Sequence, residues 1–221
     1  MAGLSEVVET FRELLNLKHT LLFLIAYLLY NDGIQTVITA SSIFLSQELF
    51  VARGLETDRT VLIIAFLIAQ AVAFVGAMFF ERIAAYSNAK TAILISLAIW
   101  ASVVIYAYAV LDSVVEAYFM SGAIGFVLGG SQALSRSLFS KMIPAGRESS
   151  FFGIYEISER GTSWIGPIVF GLVAQLTNSY RPALLALIFF FIVGGILLFL
   201  TDTTRAIHEA GNLTPEEAAE S

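Results

Sequence analysis

The residues with most scope for chemistry in this chain are polar side chains set inside long apolar runs. Tyr30-Asn31-Asp32-Gly33-Ile34-Gln35 interrupts one such run near its middle. An ionised aspartate at a bilayer centre costs about 2.5–3.5 kcal/mol on insertion scales, so such acids face a cavity or a partner group. Asp32 and Gln35 are three residues apart and share a helix face. Asn31, Asp32 and Gln35 are therefore candidates to line a solute or ion pathway. Asn-Asp-Gly is also turn chemistry, and the expectation is a helix break that exposes backbone groups for binding. The alternative is a polar contact that only fixes helix packing.

A second cluster holds Tyr155, Glu156, Glu159, Arg160 and Trp164. Glu156 and Arg160 are four apart, so a helical ion pair is expected, with the acid on its favoured N-terminal side. Glu156, Glu159 and Arg160 are candidates for coupling or gating, or for a salt bridge that locks the fold. Enzyme chemistry lacks its parts. The chain has no cysteine, and its two histidines, His19 and His208, lie in polar flanks. The sequence offers no metal-ligand cluster, nucleophile–histidine pair or phosphate-binding glycine loop, so neither metal nor cofactor is expected. A formal net charge of −6 argues against a nucleic-acid partner.

These residues need a frame that lipid tolerates. Apolar residues make up 57% of the chain and charged ones 14%, against about 45–50% and about 25% in soluble domains. A spanning helix needs about 20 mostly apolar residues. Six segments qualify: 20–46, 60–80, 91–111, 113–135, 151–176 and 182–201. The fold class is all-α, a polytopic membrane protein with the lipid bilayer as its first partner. Residues 1–19 form a lead-in, with Leu4, Val7, Val8, Phe11, Leu14 and Leu15 at helical spacing opposite Glu6, Glu9, Arg12 and Glu13. That pattern is an amphipathic helix on the membrane surface. The six-helix domain occupies 20–201, and 202–221 is a polar tail without an assigned function.

Orientation follows from the basic residues. One side receives Arg12, Lys18, Arg82, Lys90, Arg136, Lys141, Arg147 and Arg205, and the other Arg53, Arg59 and Arg181. The imbalance places both termini in the cytoplasm, with the protein in the cell (inner) membrane. A shift of 90 residues lays the first three spans over the last three, a 3+3 inverted repeat of the kind that makes half of a transporter. Ser121, Gly125 and Gly129 form a small-residue stripe suited to close helix packing. Pro167 is expected to kink the fifth span.

Leu24-Ile25-Ala26-Tyr27-Leu28-Leu29-Tyr30-Asn31-Asp32-Gly33-Ile34-Gln35-Thr36 resembles the start of the second half of vacuole-effluxer-like transporters, a branch of the major facilitator superfamily. Gly129-Gly130-Ser131-Gln132-Ala133-Leu134-Ser135-Arg136-Ser137, Ile143-Pro144, Phe151-Phe152-Gly153-Ile154-Tyr155 and Gly166-Pro167 extend the resemblance over about residues 10 to 201. It departs at Glu81-Arg82-Ile83-Ala84, where the superfamily's loop carries its basic residue sooner than Lys90. The resemblance implies a secondary transporter with alternating access, whose first and fourth spans face the pathway and bring in Gln132 near the cytoplasmic mouth. The fungal namesake is associated with amino-acid export, so a small polar solute, amino acids included, is the implied cargo. The alternative is a non-transporting membrane scaffold. Six spans are one half of the superfamily fold. The implied partner is an N-terminal half or a second copy, with Asp32, Gln35 and the Ser121-Gly125-Gly129 stripe near the two-fold axis of a homodimer.

Overall fold

A computed structural model describes residues 2–214 and Glu217, with the side chains of 2–6, Leu4 and Glu6 among them, outside the description. The described chain is all-α. It runs α1 Ala2–Asn16, α2 Lys18–Leu49, α3 Arg59–Tyr86, α4 Ala89–Ala109, α5 Val114–Lys141, α6 Glu148–Thr162, α7 Ile165–Thr177, α8 Tyr180–Ala186, α9 Ile188–Leu200 and α10 Thr203–Glu209. Among the described residues, five stretches are long and apolar enough to cross a membrane: Lys18–Arg53, Arg59–Tyr86, Ala89–Ala109, Val114–Lys141 and Tyr180–Leu200. The chain is a multi-pass membrane protein.

The expected fifth span, 151–176, is two helices rather than one. Pro167 explains the break. It has no N–H to give to the carbonyl of Ser163, and its ring crowds that carbonyl, whereas the first turn of a helix tolerates both defects. The bend expected at Pro167 is thus resolved as a full stop at Ser163–Trp164 and a fresh start at Ile165.

The break expected at Asn31-Asp32-Gly33 does not occur. α2 passes through these residues without interruption. Packing outweighs the local turn preference here. Asn31, Asp32, Gly33 and Ile34 are all buried, and a β-carbon added at Gly33 would come within 2.8 Å of Phe190 on α9. Gly194 of α9 returns the fit, lying against Tyr30 and Ala26. A turn at Gly33 would dismantle this contact.

α2 is the axis of the bundle. Sixteen of its 32 residues are buried, against four of 28 in α3, which presents Phe66, Phe74, Val75 and Met78 outward. α3 is held instead by backbone proximity to α5. A β-carbon on Gly125 would stand 2.1 Å from the Ala69 carbonyl oxygen, and one on Gly76 1.9 Å from that of Phe126. With little hydrophobic drive between helices in lipid, such close approach is what associates them. The stripe Ser121-Gly125-Gly129 therefore packs inside the chain, and so does Asp32. Neither is free for a two-fold axis, because α3 and α7 already cover them.

The charged residues gather at two ends. At one, Arg147 meets Glu13 at 3.1 Å, and Lys90 donates to the carbonyls of Phe199 and Thr201 at 2.7 Å. There α1 lies along α6 with Leu14 buried, while Val7, Val8, Phe11 and Leu15 stay uncovered. α10 starts the expected tail as a packed helix with Ala206 and Ile207 buried. The Arg205 N–H caps onto Asp202 at 3.0 Å and holds that carboxyl below the usual range. Residues 215–216 and 218–221 of the tail lie outside the described residues. At the other end Arg181 joins Glu48 at 2.7 Å, Asp112 at 2.9 Å and the Leu111 carbonyl, so three segments share one guanidinium.

Gly125→Ala tests the α3–α5 contact. Overpacking of about 2–3 kcal/mol lowers the thermal midpoint of the detergent-purified protein by roughly 4–10 °C. Gly153→Ala, which meets nothing within 4 Å, leaves the midpoint unchanged or slightly raised.

Candidate functional site

The site forms where α2 meets the gap between α6 and α7. A helix end leaves its last carbonyls, and a helix start its first N–H groups, without a partner inside the helix, so where water is excluded other protein groups must meet them. At the end of α6 the carbonyls are met by nearby side chains. The Thr162 hydroxyl donates to the Ser158 carbonyl at 3.1 Å, the Ser163 hydroxyl to that of Glu159, and the Trp164 indole N–H to that of Gly161 at 2.7 Å. The start of α7 has no such local help, since Trp164 at its N-cap makes no side-chain bond to the first turn.

Its cap comes from α2. Asp32 Oδ2 accepts the Gly166 N–H at 2.5 Å, across 134 residues of sequence. A carboxylate suits this position, because the unpaired N–H groups and the helix dipole carry partial positive charge. Only glycine admits the approach. A β-carbon at 166 would stand 2.1 Å from Thr36 Oγ1 and 3.1 Å from the Asp32 carbonyl oxygen. The Thr36 hydroxyl is held in place by donating to that carbonyl at 2.7 Å. Asp32 is 1% exposed and Asn31 2%. Their Oδ1 atoms have no hydrogen-bond partner.

Beside this cap lies a polar pocket of about 330 Å³. Gln35, Thr36 and Thr39 form its α2 wall, Glu156, Glu159 and Arg160 its α6 wall, and Ser163 and Pro167 the edge at the break. Glu159 accepts the Tyr27 hydroxyl at 2.7 Å, and the Tyr27 ring stacks on Tyr155 with centroids 4.4 Å apart. The expected Glu156–Arg160 pair is not formed. Arg136 of α5 reaches Glu156 at 3.1 Å instead, its guanidinium already steadied over the Phe152 ring at 5.1 Å. Arg160 is left exposed on the pocket wall. The pocket thus offers a fixed acid, Glu159, and a guanidinium without an ion pair among the described residues.

Of the residues singled out from sequence, Gln35, Glu156, Glu159 and Arg160 come together here, with Asp32 joined to the same wall through Thr36 and Gly166. Asn31 is buried in the core, and Gln132, half-buried on α5, does not line the pocket. Thr36, Thr39, Ser163 and Gly166 went unselected. The first two follow Asp32 and Gln35 by one helical turn, a spacing that would have found them. A larger hollow of about 550 Å³ between α3, α4 and α5 is walled by Val72, Ile99, Phe119 and Phe126 and offers no chemistry.

The family model for vacuole effluxers like Atg22 matches residues 1–211. The chain belongs to this family. Among relatives, an uncharacterized MFS-type transporter, YxiO of Bacillus subtilis, is 30% identical over 197 residues, which cover 89% of this chain and 44% of YxiO. Autophagy-related protein 22 of Kluyveromyces lactis is 28% identical over 222 residues, 96% of this chain and 44% of its own. That of Eremothecium gossypii is 32% identical over 195 residues, 83% and 37%. The chain spans less than half the length of these curated relatives. The vacuole effluxer family is one of transporters, not of enzymes.

Gly166→Ala tests the seating of α7 on α2. The added carbon pushes the Gly166 N–H off Asp32, at about 1–3 kcal/mol, and circular-dichroism melts show a lower midpoint. Thr36→Ala, which removes the nearest clashing atom, recovers part of that loss in the double variant.

Proposed function

We propose that this chain forms part of a secondary active transporter that moves a small polar solute by alternating access, through the pocket between α2, α6 and α7. The observation that carries the reading is the pocket's make-up: Glu159 and Arg160 face one space beside a helix broken within the bundle. Opposite charges on the wall of one pocket suit a zwitterion, and amino acids are the simplest solutes with that pattern. Membership in an effluxer family supports the same direction. In this reading Gln35 and Asp32 line the pathway with Asn31 behind them, Gln132 stands toward the mouth, and Glu156, Glu159 and Arg160 couple or gate.

Six crossings are proposed, α6 and α7 together making the fifth, in a 3+3 inverted repeat. Supporting this, Arg59 and Glu148 begin corresponding elements, as do Ala89 and Tyr180, and Tyr86 and Thr177 end them, at separations of 89 or 91 residues. Both termini are placed in the cytoplasm by the basic-residue imbalance. The pathway needs a second wall, supplied by an N-terminal half or a second copy facing the pocket side. A membrane scaffold without transport is the competing reading.

Counterflow of labelled amino acids into proteoliposomes separates the two. Uptake is expected, with Glu159→Gln and Arg160→Gln each lowering it at least tenfold while monodispersity is kept. If the wild type moves none of a broad solute panel, with or without a pH gradient and with or without an N-terminal half, the scaffold reading stands.

A further inference from the structure

Asp32 is a poorly satisfied occupant of the position it holds. One carboxylate oxygen takes the Gly166 N–H, while Oδ1 is buried without a donor, in a side chain only 1% exposed. Leaving a buried acceptor unpaired carries the full cost of its lost hydration. Nothing local replaces Asp32, since Trp164 gives no cap and Pro167 in the same turn has no N–H. α7 is 13 residues long, enough for its first turn to keep a partial positive charge. The first turn also adjoins the pocket: Thr36, which lies against Gly166, and Ser163 and Pro167, on either side of it in sequence, all form pocket wall.

We propose that the first turn of α7 is a carboxylate seat. Asp32 fills it from within the protein in the state described, and yields it to the carboxylate of a small solute that enters from the pocket. The incoming group sets one oxygen on the Gly166 N–H. Its other oxygen turns to the guanidinium of Arg160 on the pocket wall, a donor that Asp32 Oδ1 does not reach. The seat therefore takes a carboxylate and refuses a neutral group of the same shape. This deepens the transport reading and rests on it for the pocket as the solute's place, but binding alone tests it.

The intact chain carries its own reporter. Trp164 stands at the N-cap of α7 with its indole N–H on the Gly161 carbonyl, and the other tryptophan, Trp100, is buried against Phe191 as constant background. Fluorescence of the detergent-purified protein is titrated with acetate and with acetamide, its neutral isostere, at fixed ionic strength. Acetate is expected to give a saturable change in the wild type. Asp32→Asn, whose amide competes less well than a carboxylate, tightens that binding at least tenfold, and Asp32→Ala tightens it further. Acetamide gives no saturable change. If Asp32→Ala does not fold, Asp32→Asn carries the comparison. The proposal is overturned if acetate never saturates, if wild type and variants bind it equally, or if acetamide binds as acetate does. Saturable acetate binding without measurable counterflow would keep the seat and remove the transport reading, so the two fail separately.

Discussion

The hydrogen bond from Gly166 to Asp32 is the contact on which the arrangement of this bundle turns. A buried N–H in the first turn of a helix, as at Gly166, has no water to meet it, so its partner must be protein. Here the partner is a carboxylate on the most buried helix of the chain, α2. That single requirement fixes where α7 begins, how close it lies to Thr36, and why position 166 has no side chain. It also fixes the pocket, whose edge is the gap that the bond holds in place.

The remaining contacts are of two kinds, and each suits a lipid surround. Where helices pass one another in apolar territory, glycine lets backbone touch backbone, as at Gly125 and Gly76, and dispersion does what burial from water does in soluble proteins. Where the chain leaves the apolar zone, charged groups gather, as Arg181 does with Glu48, Asp112 and the Leu111 carbonyl. Between these zones the polar groups of α2 are held by hydroxyl contacts of short reach, such as Tyr30 to Ser135 at 2.6 Å. α2 can carry so many polar side chains because other helices surround it.

The membrane class of the fold was plain in the sequence, since composition alone forbids a water-soluble core of this apolarity. The positions of the helices followed from the length of apolar runs. The two breaks were harder. Asn31-Asp32-Gly33 has strong local turn chemistry, yet Phe190 packed on Gly33 from 157 positions away outweighs it. Pro167 was legible as a defect, but whether a helix bends or stops depends on what waits to cap its new end. For α7 that is Asp32, and no pattern within either segment reveals the pairing. The ion pair at Glu156 misled for the same reason: helical spacing offered Arg160, and tertiary structure supplied Arg136. Spacing along each helix was enough to gather Gln35 on α2 and Glu156, Glu159 and Arg160 on α6 as candidates, though not to show that they share a pocket.

The distance in sequence between Asp32 and Gly166 also sets a problem for synthesis. Ribosomes extend a chain by about 5–20 residues per second, so α7 follows α2 by on the order of ten seconds. During that interval α2 enters the membrane with its aspartate unmatched, at the insertion cost of a lone intramembrane acid. Gly33 of the same helix waits longer still for Phe190, so both the polar and the packing contacts of α2 close only after most of the chain has been made.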